Sequence, residues 1–236
     1  MHRTIIIATV AGYIVASASA VDTPQVTLSV PSAFATEVTV KHYRKGQKLS
    51  DDPTYQPVTI APMTEYQGWF GSRNADQANN HGWKVDVFAR YSPRVAAALT
   101  KAKDGYQANL NIDPEFFGLD DRSYMFARFE RKHFKWGDAV SFLSQFTQDT
   151  GVYVPHNGHL TYEVWGLTRD HKHTVVASVM VRHPKLANWG PEVRDAGSIA
   201  ALKNDRDCKL VESCSPEEFE PSLTAFDRTL DTLSIR

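Results

Sequence analysis

The chain has 236 residues, 26 basic and 27 acidic side chains, and a formal charge of −1. That balance gives no electrostatic reason to expect nucleic acid or an anionic membrane surface as partner. An aromatic content of 11% argues for a packed globule over a disordered chain, and there is no fixed-period repeat and no block of five like charges.

The first twenty residues read as a targeting segment. Met1-His2-Arg3 is a short positive start, Ile5 to Ala16 is an apolar run, and Ala18-Ser19-Ala20 offers the small-x-small pattern that a signal peptidase needs. A run of about twelve residues is too short to span a bilayer, which takes roughly twenty. The expectation is a signal peptide over 1–20 and a single domain over 21–236, exported to a periplasmic or extracellular space. No membrane span is expected after its removal. Removing Arg3 leaves 25 basic against 27 acidic residues.

Val26, Leu28 and Val30 alternate with smaller or polar residues, as a strand does, and so does the segment Glu37 to Tyr43. Tyr66 to Gly82 turns polar and Asn-rich and reads as a long connection. Its aromatics Trp69 and Phe70, with Trp83 just beyond, are candidates for stacking on a sugar or peptide ligand. Trp83 to Tyr91 is a strand candidate. Ser92-Pro93 then opens a helix, because a serine hydroxyl accepts from free N–H groups while proline has no N–H to leave unpaired. Tyr106 to Ile112 and Ser123 to Glu130 alternate as strands. Trp136, Val140, Leu143 and Phe146 recur at helical spacing, which predicts a helix over 136–150 ended by Gly151.

His159 to Leu167 and Thr174 to His183 read as strands of a hairpin with a short charged loop. Val193 to Lys203 suggests a short helix weakened by Gly197, and Lys209 to Glu212 a short strand. Ser215-Pro216-Glu217-Glu218 has capping-box order, and Phe219, Leu223, Phe226, Leu230 and Leu233 form one apolar stripe. Pro221 implies a kink, or a helix starting there. Together these elements predict an α+β fold: an antiparallel β-sheet covered by helices, with the C-terminal amphipathic helix packed on the sheet.

The hairpin TYEVWGLTRDHKHTVVASVMV followed by FEPSLTAFDRTLDTLSI resembles the end of exported PsbP/Mog1-like domains. In those domains a long antiparallel hairpin precedes a C-terminal helix with a Phe-Asp pair, here Phe226-Asp227. The resemblance covers about the last eighty residues. It implies a fold and a non-enzymatic binding or assembly role, and it assigns no site residues.

Five histidines fall in one region: His156, His159, His171, His173 and His183. His156-x-x-His159 and His171-x-His173 would converge if the hairpin loop folded back, and three imidazoles suffice for zinc or copper. Their spacing matches no established ligand motif, so solvated loop histidines are expected, with no metal and no cofactor. Cys208 and Cys214 meet an oxidising space after export, but an extended chain would hold their Cα atoms roughly 20 Å apart. Bridged and unpaired thiols both remain open. Asp51-Asp52 and Asp120-Asp121 read as turn residues. There is no GxSxG, HExxH, P-loop or GxGxxG. The expected function is a non-enzymatic binding or accessory module for an unidentified protein or small-molecule ligand. The alternative is a secreted hydrolase whose acidic and histidine groups meet only in the fold.

Overall fold

A computed structural model describes residues 4–10, 13–19, 26–31, 37–43, 63–70, 81–88, 91–103, 124–146, 153–188 and 193–235. The strand expected over 106–112 and most of the Asn-rich segment lie outside these residues. The architecture is α+β, built on antiparallel sheets.

The larger sheet contains β4 (Glu37–Tyr43), β5 (Met63–Phe70), β6 (His81–Phe88), β7 (Tyr124–Phe134), β8 (Gly137–Phe146), β9 (Leu160–Thr168) and β10 (Thr174–Met180). Their order is β4-β5-β6-β10-β9-β8-β7, and every neighbouring pair is antiparallel. The expected hairpin is present as β9–β10, with Val176 opposite Trp165 and Ser178 opposite Glu163. A smaller sheet joins β1 (Thr4–Val10), β2 (Tyr13–Ser19), β3 (Val26–Pro31) and β11 (Ser234–Ile235). Here the apolar run of the first twenty residues pairs as a hairpin and continues onto β3, with Ala16 opposite Leu28. Its Ile and Val residues favour extended backbone.

Helix α1 (Pro93–Lys103) lies across β7, β8 and β9 on one face. It starts as expected, with the Ser92 hydroxyl accepting from the Val95 N–H at 3.3 Å. Val95, Ala98 and Leu99 meet Phe126, Val140, Phe142 and Leu167 in one core cluster. On the other face, α2 (Ile199–Asn204), α3 (Arg206–Ser213) and α4 (Leu223–Leu230) contribute Leu202, Cys208, Val211, Leu223, Phe226 and Leu230 to the main core. They join Ala139, Leu143, Tyr162, Val164, Val175, Ala177 and Val179 from the strands.

Helices on both faces explain the largest difference from the sequence reading. Residues 139–145 are buried without interruption in β8, where a helix was expected. Ala139 and Leu143 enter the main core while Val140 and Phe142 enter the cluster under α1. A strand buried on both faces shows no period-two pattern, so its apolar positions can mimic helical spacing. The short strand expected over 209–212 is instead part of α3. The Asp205 carboxylate caps that helix by accepting from the Asp207 N–H, and Cys208 and Val211 share its buried side.

The closing helix holds to expectation in its stripe but not in its start. The capping box at Ser215 and Glu218 opens one 3-10 turn (Pro216–Glu218), and α4 begins after Pro221 with its own cap at Ser222. Phe219, Leu223, Phe226, Leu230 and Leu233 are all buried. At the far end, the β7–β8 turn clamps the helix. The Trp136 indole N–H donates to the Leu230 carbonyl at 2.9 Å, and the Lys135 N–H donates to the Asp231 carboxylate at 2.8 Å. The Leu230 carbonyl is one of the last-turn carbonyls that lack a partner within the helix and need one once buried.

Candidate functional site

Among the described residues, three groups of polar side chains stand out, each placed by a different part of the fold. The first joins α4 to the sheet. The Tyr162 hydroxyl donates to Asp227 Oδ1 at 2.9 Å, and Lys132 Nζ lies 3.2 Å from Asp227 Oδ2 and 2.8 Å from Glu130. Burial pushes the Asp227 carboxyl and the Tyr162 hydroxyl above their ordinary values; against burial's opposing pull, the two carboxylates hold the Lys132 ammonium above its own. Phe226 meets the Tyr162 ring edge-on at 6.2 Å. The Phe226-Asp227 pair therefore docks on one tyrosine through both of its members.

The second group is a half-exposed strip of sheet beside α1. Thr161, Glu163 and Trp165 of β9 are half-buried, as are Val176 and Ser178 of β10, while Met180 is exposed. The Glu163 carboxylate accepts from the Ser144 hydroxyl at 2.5 Å and from the Trp165 indole N–H at 2.9 Å. The pairing register extends this face to Lys84 and Asp86 on β6, and to Gln67 and Trp69 on β5. Alternation along the strands separates the three aromatics singled out in the sequence. Trp69 occupies a register position on the open face, opposite Gly82. Phe70 pairs opposite His81, and Trp83 pairs opposite Gly68 on β5 and Val179 on β10.

The third group lies where the end of β10, the end of α3 and the 3-10 turn meet. Arg182 and Glu220 exchange backbone hydrogen bonds of 2.9 Å each way, which brings the next residue, His183, against Phe219 at 5.3 Å between ring centres. Asn157 holds His183 by both backbone groups, accepting from its N–H at 2.8 Å and donating to its carbonyl at 3.1 Å. Cys214 is the C-cap of α3, and its carbonyl accepts from the Arg128 guanidinium at 2.6 Å. Arg128 belongs to the bulge in β7 and has left-handed backbone, φ 55°. Its fork reaches the carbonyls of Val211 and Glu212 as well. Glu218 is fixed by the capping box, its Oε2 accepting from the Ser215 N–H at 2.7 Å. One ligand-type atom from each of His183, Cys214 and Glu218 lies within 4.8 Å of the others.

That trio replaces the convergence considered from sequence. His156 and His159 stand at the start of β9, with ring centres 5.2 Å apart, while His171 and His173 stand in the turn after its end. Nine strand residues put the pairs roughly 25–30 Å apart. His171 stacks instead on Tyr91. Nor are all five solvated: His156 and His183 are fully buried, and each accepts a backbone N–H two residues on, from Gly158 and Lys185, through Nδ1. Burial lowers the pKa of both, His156 to about 4. The two thiols are free and buried, and burial raises them, Cys208 up to about 12. The helical turn of α3 holds the cysteines apart. The only sequence trace of the trio is Cys214-x-x-x-Glu218, a spacing far too common to single out.

No protein-family model, no curated protein and no solved structure matches this chain. Among the described residues, no helix is long and apolar enough to cross a membrane.

Proposed function

We propose that this chain is an exported, non-enzymatic binding or accessory protein, processed after Ala20, that holds a protein or small-molecule ligand on the open face of β9 and β10. The observation that carries this reading is the strip Thr161, Glu163, Trp165, Val176, Ser178 and Met180. It couples an exposed thioether and a half-buried indole to a carboxylate already oriented by two donors. Ligand sites combine apolar and aromatic surface with a few oriented polar groups. The ionisable groups that join α4 to the sheet support the same reading, because they act within the fold. Asp227, Tyr162 and Lys132 hold α4 to the sheet, and the buried His156 accepts a backbone N–H. The resemblance of the hairpin and closing helix to PsbP/Mog1-like domains points to a binding role as well.

The test is recovery of the chain from its native compartment, with bound partners and small molecules identified together, beside Ser178→Arg. An arginine in the middle of the strip changes its shape and charge without entering the core. A bound species present on the unmodified chain and absent from Ser178→Arg is the expected result. Equal retention by both refutes the placement, and turnover of ester, glycoside or peptide substrates refutes the non-enzymatic reading.

A further inference from the structure

We propose that His183, Cys214 and Glu218 form a binding site for a zinc-class divalent cation. The donor set is an imidazole nitrogen, a thiolate sulfur and a carboxylate oxygen, the three ligand types that zinc takes from proteins. All three ligand atoms lie within 4.8 Å of one another, so a single ion can reach all of them after sub-ångström to ångström shifts. A second, independent observation concerns the same histidine. His183 is fully buried, and its Nε2 has no hydrogen-bond partner among the described residues. A buried polar nitrogen left unpaired costs free energy, and an ion ligated through Nε2 removes that cost.

The surroundings are prearranged for ligation. Asn157 pins the backbone of His183, Arg128 pins the carbonyl of Cys214, and the capping box orients Glu218. Such outer contacts fix ligand geometry before the ion arrives. Phe219 and the buried Cys214 close the inner side, while the exposed Glu218 leaves the outer side to water, which supplies the remaining coordination position.

Three contacts must yield. His183 Nδ1 accepts the Lys185 N–H at 3.2 Å, which places the neutral ring's proton on Nε2. Ligation through Nε2 moves that proton to Nδ1 and breaks the bond to Lys185, and ligation through Nδ1 displaces the same N–H. The Lys185 ammonium, 3.6 Å from Glu218 Oε1, must also swing away. Cys214 enters as thiolate, so its proton, which the sulfur now directs at the Val211 carbonyl 3.9 Å away, passes to solvent.

The experiment uses the purified chain stripped with a chelator, with zinc alone and then cobalt(II) as probes. Equilibrium dialysis is expected to give about one zinc per chain, and cobalt a thiolate-to-metal charge-transfer band in the near ultraviolet. Cys214→Ser should remove that band. Glu218→Gln keeps the capping box, since glutamine serves there too, and should weaken zinc binding by roughly tenfold or more. It is the variant that stays informative should Cys214→Ser fail to fold. A His171→Ala/His173→Ala double variant should leave stoichiometry and band unchanged. No zinc uptake by the unmodified chain overturns the site. So does uptake that survives both Cys214→Ser and Glu218→Gln, or that vanishes with His171 and His173.

Discussion

Phe226→Ala removes a side chain that is 1% exposed, between Leu223 and Leu230 on α4 and edge-on to Tyr162. An aromatic side chain buries about 150–250 Å², and truncating one in a core costs ~3–5 kcal/mol once the residual cavity is included. The neighbours here resist collapse. The helix is fixed at its start by Ser222, in its middle by Asp227, and at its end by Trp136 and Lys135, so the cavity stays open. Against a total stability on the order of 5–15 kcal/mol, that loss is severe. For a chain of this size it lowers the melting midpoint by about 6–20 °C. Arg228→Ala, two positions on and exposed, should cost no more than ~0.5 kcal/mol. Paired urea melts of the two variants read the contrast directly. Equal, small losses would refute the docking of α4, and with it the role of Phe226-Asp227 as a joint between helix and sheet.

Acid sensitivity follows from His156, whose pKa is lowered from 6.5 to about 4, first by burial and then by His159. The unfolded chain then binds the extra proton between those values. This contribution, on the order of 2 kcal/mol, is complete above pH 6.5 and lost as pH falls towards 4. His183 adds in the same direction. Stability measured across that window should fall more steeply in the unmodified chain than in His156→Gln, and parallel curves would refute the assignment. Gly166→Ala should cost ~1–3 kcal/mol in a denaturant melt, because a methyl group there would lie 2.5 Å from the Trp136 ring and 2.7 Å from the Asp138 carbonyl. An unchanged midpoint would mean that Trp136 is not packed over β8 and β9. N-terminal sequencing of exported material should begin at Val21, and material beginning at Met1 would refute processing.

The α+β class, the β9–β10 hairpin, the Ser92-capped helix and the apolar stripe of α4 were legible in the residues alone, since each is a local pattern. Half-buried strands alternate, caps need particular side chains, and a helix lying on a sheet shows one apolar face. What failed was whatever depended on a second neighbour. β8 reads as a helix until α1 and the C-terminal helices are seen to cover opposite faces of it. Lys209 to Glu212 reads as a strand until Asp205 caps the helix that contains it. The histidines that crowd together in sequence are divided by the length of β9, because an extended strand carries its ends apart. Trp69 and Phe70, adjacent in the chain, take alternate register positions on β5, opposite Gly82 and His81. The trio His183, Cys214 and Glu218 was invisible because no periodicity links its members. The Arg182–Glu220 bridge brings them together, and a backbone pairing between distant segments leaves no mark in the sequence of either.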